Sequence, residues 1–259
     1  TASTLTLANL KKSSYEVANG IAYSYGQVGG TTVTTTTIKG DGSLVVKLYY
    51  ARSSYAITVN KASGDKGINT VTGGGTYYYD ASVTIGATLN TGYSFDKWTS
   101  SNTSAVANGT TASYSFTMPT STVTLTASSK ANALTFADQT LNSGTYGSAY
   151  TSNAFTGASN GTGSYSYTIV SGQPTGATIN SGDRKISFTN TTPADTYKVV
   201  VRATDSGSGA TANATMTIAI EKLGVAKPTA KTGLVYNGSA HVGVNYTANI
   251  GYTMGGTYS

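Results

Sequence analysis

Gly92-Tyr93-Ser94-Phe95-Asp96-Lys97-Trp98, then Phe116-Thr117-Met118-Pro119 and Val123-Thr124-Leu125-Thr126-Ala127, is the stretch on which the reading of this chain turns. Its apolar and aromatic residues come in short runs that alternate with polar ones, the period of a half-buried strand. Thr, Val and Tyr suit a pleated surface because branched and aromatic side chains pack well across it. Trp98, the one tryptophan among 259 residues, follows Tyr93 and Phe95 at mixed spacing. A buried aromatic side chain removes on the order of 150–250 Å² from water. Core packing is therefore the first expectation for Trp98, and a carbohydrate-stacking platform is the alternative.

The same alternation runs outward in both directions and predicts an all-β chain with at most one short helix, over 5–13, where Leu5, Leu7 and Leu10 fall. Strands are expected at 15–25, 31–38 and 44–50, then at 55–59, 76–79 and 82–85. Asp41-Gly42, flanked by alternating residues, is a hairpin cue. Farther on, strands are expected at 134–136, 150–155, 165–170, 185–189, 196–204 and 211–221, the number and spacing of an immunoglobulin-like sandwich. Gly73-Gly74-Gly75 reads as a tight turn, because no helix or Lys-Ser/Thr ending follows to make it a phosphate cradle. The run Thr31-Thr32-Val33-Thr34-Thr35-Thr36-Thr37 reads as one solvated strand, the alternative being a flat threonine face of the ice-binding kind.

Composition narrows the function. Only 10% of residues are charged and 38% are hydrophobic, unlike disordered segments, which combine low hydrophobicity with high net charge. With no cysteine, disulfides, zinc–thiolate sites and cysteine nucleophiles are excluded. The net charge of +6 comes from sixteen scattered Lys and Arg, tightest at Lys11-Lys12, so the basic face of a nucleic-acid binder is missing. No run approaches the roughly 18 apolar residues of a membrane helix, and the first residues lack the pattern of a signal peptide. Thr1 is no initiator, so the chain is expected to be an internal piece of a larger protein, with any export and anchoring signals outside it.

The glycine-tyrosine-x-phenylalanine-x-x-tryptophan element and the methionine-proline-x-x-x-valine-threonine ending resemble the divergent internalin-B-type repeats of bacterial surface proteins. Gly40-Asp41-Gly42-Ser43-Leu44-Val45-Val46-Lys47-Leu48-Tyr49-Tyr50-Ala51-Arg52 resembles the final strand of β-grasp-like adhesin repeats, including mucin-binding-type modules. Pro193-Ala194-Asp195-Thr196-Tyr197 and the strand after it resemble the corner and penultimate strand of bacterial Ig-like and cadherin-like domains, with Tyr197 as the corner tyrosine. Leu234-Val235-Tyr236-Asn237-Gly238 resembles the opening of a further bacterial Ig-like repeat. These likenesses imply tandem small β modules: a β-grasp-like repeat at 1–54, an internalin-B-type repeat at 55–131, an Ig-like or cadherin-like sandwich at 132–222, and a truncated repeat at 223–259.

Chemistry is sparse. His241 is the one histidine, with no carboxylate near it in sequence, and the ten acids are spread over separate modules. Neither a Ser-His-Asp triad nor a glycosidase pair of carboxylates is indicated, so no catalytic residue and no enzyme is expected. Calcium is the metal to consider, with Asp195 and Asp205 as candidate ligands, since cadherin-like relatives place acids at module junctions; turn capping is the competing role for Asp205. Lys185 or Lys198 with Asn213 are candidates for an isopeptide cross-link of the adhesin kind. Tyr77 and Tyr79, opposite Tyr78, are binding candidates together with Trp98, because tyrosine offers rigid contact area with a polar tip.

The resemblance implies a structural stalk or spacer of a bacterial surface-exposed or secreted multidomain protein, an adhesin, whose partners are its own neighbouring modules. The alternatives are a module binding host glycan or matrix protein, and an accessory region of a secreted carbohydrate-active enzyme. Nucleic acid and membrane insertion are not expected.

Overall fold

Strands arise almost everywhere that β-branched and aromatic residues alternate with Ser, Thr, Asn and Lys, since this pattern gives a pleated ribbon one apolar face to bury. The computed structural model describes residues 3–224 and the short stretches 229–230, 232–233 and 244–245. It consists of two units, Thr1–Ala131 and Asn132–Ser259.

The first unit opens with β1 (Thr4–Thr6), two single 3-10 turns (Leu7–Leu10 and Ser13–Tyr15), β2 (Ile21–Val28), β3 (Thr31–Val33), β4 (Thr35–Thr37) and β5 (Val46–Arg52). The expected helix over 5–13 is absent. Leu5 is spent on pairing with Thr36 of β4, and Lys11 and Lys12 take extended ψ angles of 141° and 118° that stop the first turn from propagating. Leu7, wholly buried, packs on Gly26 of β2. The Asp41-Gly42 cue marks a real turn, with the Asp41 carboxylate accepting from the Ser43 N–H at 3.0 Å and hydroxyl at 2.8 Å. It does not close a hairpin. β2 instead turns through Gly29-Gly30 into β3 and takes β5 on its other side, in the order β3-β2-β5. The threonine run splits at Thr34, whose carbonyl accepts from Leu7 N–H at 2.9 Å, so its halves join different sheets and no flat threonine array forms.

The second module comprises β6 (Ser54–Lys61), β7 (Ile68–Thr72), β8 (Gly75–Tyr78), β9 (Ser82–Leu89), β10 (Tyr93–Ser100), β11 (Ser113–Thr117) and β12 (Val123–Ala131). A four-stranded sheet, β10-β12-β6-β8, faces a three-stranded one, β11-β9-β7. In its middle the module's first and last strands, β6 and β12, run parallel. The core between the sheets holds Ile57, Ile68, Val83, Ile85, Trp98, Val106, Met118, Val123, Leu125 and Ala127. Phe95 and Trp98, three residues apart, would point to opposite faces of a regular strand. A bulge at Asp96, where the partner of Phe95 is Ser129 and that of Lys97 is Ser128, reverses the alternation. Both rings therefore reach the core, 5.5 Å apart.

The second unit has β13 (Gln139–Thr140), β14 (Gly144–Thr145), β15 (Tyr150–Thr151), β16 (Tyr165–Ser171), β17 (Thr178–Asn180), β18 (Lys185–Phe188), β19 (Thr196–Asp205) and β20 (Thr211–Glu221). One sheet is β13-β20-β19-β16, with β14 also on β20, and the other is β15-β18-β17. This is an immunoglobulin-like two-sheet arrangement. β19 and β20 alternate without a slip, burying Val199, Val201, Ala203, Ala214, Met216, Ile218 and Ile220. The strand expected at 134–136 reduces to one bridge, Thr135 to Ser159. Tyr197 donates its hydroxyl to the Pro193 carbonyl at 2.9 Å, the hydrogen bond of a tyrosine corner. Beyond Gly224, β21 (Thr229–Ala230) pairs antiparallel with β22 (Val244–Asn245). Lys227, Pro228, the segment 234–240 and His241 lie outside the described residues.

Candidate functional site

Trp98 lies wholly inside the core, and its indole N–H donates to the Thr111 carbonyl at 3.0 Å. No face of the ring is left for a sugar, which corrects its candidacy as a stacking platform. The bulge that turns it inward is the reason. Tyr77 and Tyr79 do not form one exposed set: both are half-buried, and it is Tyr78 between them that is 64% exposed. Tyr77 packs against the core and donates to the Gly73 carbonyl at 2.9 Å. Tyr79 sits at the seam between the first two modules, its ring on Gly20, where a Cβ would meet it at 2.8 Å.

That seam is tightly made. Only Ser53 separates β5 from β6. Its N–H donates to the Gly20 carbonyl, and its carbonyl accepts from Tyr79 N–H, both at 2.8 Å. The Tyr55 hydroxyl donates to the Asn19 carbonyl, and the Arg52 guanidinium to the Tyr79 carbonyl at 3.3 Å. Beside the seam lies an open depression of about 560 Å³, lined by Val17 and Ala18 from the first module and by Tyr79, Asn102, Ser104, Thr120 and Ser121 from the second. Asn102 spends its side-chain oxygen on Ala105 N–H at 3.2 Å. Four of these residues come from loops of ordinary polar composition, so no periodicity singles them out in the sequence. Only the small polar pair after Met118-Pro119 hints at them.

Residues 55–133 match the divergent InlB B-repeat domain. The match starts within β6 and runs two residues past β12, so it takes in the whole second module. No curated protein matches the chain. Among solved structures, the chain is similar to the EC1-3 region of Drosophila N-cadherin, at 10% identity over 77% of this chain and 89% of that one, with a TM-score of 0.32. It is also similar to a SusE-like, surface-located polysaccharide-binding protein from the Bacteroides thetaiotaomicron heparin utilisation locus. There the identity is 11% over 78% of this chain and 49% of that one, with a TM-score of 0.28.

In the InlB-type repeat the most heavily used acid is Asp65. It accepts from the N–H groups of Gly67 and Ile68, each at 2.9 Å, and from the N–H and hydroxyl of Ser129, each at 2.7 Å. Burial pushes its carboxyl up, but the bonds from Ser129, Ile68 and Gly67 outweigh it and hold the group below the usual range. The lock ties the turn before β7 to the end of β12.

Asp205 is the counterpart in the sandwich. It occupies an inward position of β19, fully buried, and accepts from the N–H and hydroxyl of both Thr162 and Ser208. Burial again works against the charge, and the Ser208 and Thr162 bonds bring the carboxyl down to about 2. All this capacity goes to the two loops, so Asp205 caps turns. Asp195 is exposed and precedes the opposite end of the same ten-residue strand, about 30 Å away at 3.3 Å per residue. The two cannot share a calcium ion, which wants six to eight oxygens around one point. Asp195 instead shares an open depression of about 380 Å³ with Glu221 and Lys222. Among the described residues, no three acids, His or Cys gather as a metal would require. The isopeptide candidates also separate: Lys185 and Lys198 are exposed, Lys198 pairs with Thr217, and Asn213 faces Arg202, whose Nε donates to it at 3.2 Å. No helix among the described residues is long and apolar enough to cross a membrane.

Proposed function

We propose that the chain is a non-catalytic, load-bearing spacer from a bacterial surface-exposed or secreted multidomain protein, an adhesin, holding a distal part away from the cell. The reading rests on one observation: in both large modules the first and last strands are parallel neighbours. In the InlB-type repeat β6 lies along β12 over five registered pairs, from Val123–Ile57 to Ala127–Lys61. In the sandwich β13 and β14 lie parallel along β20. A pull on a module's two ends drags such strands past each other, so the ladder bonds share the load instead of opening one at a time. The short, hydrogen-bonded seam at Ser53 adds to this, because force crosses it without a slack linker. The family match supports the surface context.

Single-molecule stretching of the full chain by its two ends tests the reading. The InlB-type repeat should unfold in one high-force event. Ala62→Pro, just past the end of β6, removes the N–H that donates to the Ala127 carbonyl of β12 at 2.8 Å, and should lower that force in a chain that still folds. An unchanged force in folded Ala62→Pro would refute the parallel clamp.

A further inference from the structure

We propose that the depression at the seam of the first unit is a binding site for a neutral oligosaccharide. Sugars are held by an apolar surface against their C–H face together with hydrogen-bonding groups for their hydroxyls. The depression offers both. Val17, Pro119 and Tyr79 supply the apolar part, and Asn102, Ser104, Thr120 and Ser121 the polar part. The hydroxyls of Ser104, Thr120 and Ser121 make no hydrogen bond with another described residue. With the Asn102 oxygen committed to Ala105 N–H, the amide N–H₂ is the donor that Asn102 has to offer.

No charged side chain is among the lining residues. Uronates, sulfated sugars and phosphate find no counter-charge here, so an uncharged ligand is selected. At about 560 Å³ the space falls within the 300–1,000 Å³ typical of small-ligand sites. Its open mouth suits a stretch of a longer chain over a single enclosed ring. The site also needs both modules: Val17 and Ala18 come from the first, and the remaining lining, Tyr79 included, from the InlB-type repeat. Neither would form it alone. This binding is separate from the spacer role, and either can fail without the other.

The test is titration of the full chain, amide signals followed by NMR, with maltotriose, cellotriose, mannotriose, galactotriose and chitotriose, and with a heparin-derived tetrasaccharide as the charged arm. At least one neutral probe should bind with Kd on the order of 0.1–1 mM, perturbing amides at 102–105 and 120–121. Ala18→Arg and Ser104→Arg place a bulky charge on each wall at exposed positions. Each should weaken binding at least about tenfold, roughly 1.4 kcal/mol, with the unfolding temperature unchanged. Three results overturn the proposal: no shift with any neutral probe at about 10 mM, binding that survives both variants, or binding of the charged tetrasaccharide alone.

Discussion

Replacing Asp205 with alanine should unlock the sandwich, and the size of the effect follows from its four bonds. The carboxylate accepts from Thr162 N–H at 3.2 Å, Thr162 Oγ1 at 2.5 Å, Ser208 N–H at 3.1 Å and the Ser208 hydroxyl, from a position with no exposure. Hydroxyls released by the change can turn to water. The two N–H groups are held by the fold, and a buried donor left unpaired costs about 1–3 kcal/mol. A second route gives a similar figure: a carboxyl held at about 2 against 3.8 corresponds to about 2 kcal/mol of folding free energy. Taking about 2–3 kcal/mol, and about 4–8 °C per kcal/mol for a domain of this size, the loss is roughly 8–24 °C.

Calorimetry of the full chain should show this fall in the transition of the second unit and leave that of the first in place. The pH dependence has a defined sign. Because the folded carboxyl titrates below the unfolded one, its contribution is present above about pH 4 and disappears as pH falls from 3.8 towards 2. Asp205→Asn, which cannot titrate, should lack that component. A shift under about 4 °C in Asp205→Ala, less than 1 kcal/mol, or parallel acid losses in the wild type and Asp205→Asn, would refute the argument.

Other outcomes follow from the same contacts. Trp98→Ala should cost the InlB-type repeat about 3–5 kcal/mol, the usual loss for a fully buried large aromatic, read from its urea midpoint; a loss below 1 kcal/mol would deny the ring its core role. Gly172 has φ 77°, and a Cβ there would stand 1.9 Å from the Lys198 carbonyl oxygen. Gly172→Ala should therefore destabilise the sandwich by about 2 kcal/mol or more, with no effect on the first unit's transition. Ser129→Ala removes a hydroxyl donor from Asp65 at 2.7 Å and should cost about 1–2 kcal/mol. It should also bring the Asp65 carboxyl back towards its ordinary value, visible as a higher pKa by carbon-detected NMR.

Alternation carried most of the fold into view, and its failures have local causes. Thr196 to Asp205 and Thr211 to Glu221 could be read almost to the residue because long paired strands keep a strict period of two. Phe95 and Trp98 could not be placed on one face without knowing of the bulge at Asp96. Around Thr135 a single bridge does the work expected of a strand, and one bridge leaves no periodic trace. Asp41-Gly42 shows a different limit: its turn was legible, but the partner of β5 was decided by β2, about twenty residues upstream. Asp205 was found as an acid worth attention, whereas its role depended on Thr162, 43 residues away. The seam depression is built from loop residues that meet only through the fold.

The parallel pairing of β6 with β12 also dictates when the InlB-type repeat can come into being. Ile57 meets Val123 across 66 residues of chain, so its central ladder is among the last things a polymer emerging from its N-terminus can make. Until Ala131 is clear, the strands in between have a half-built sheet to dock on, and Trp98 has no lid. Contacts so distant in sequence form slowly. The repeat thus stays open for as long as its final strand is withheld, and its central sheet is completed only when β12 reaches β6.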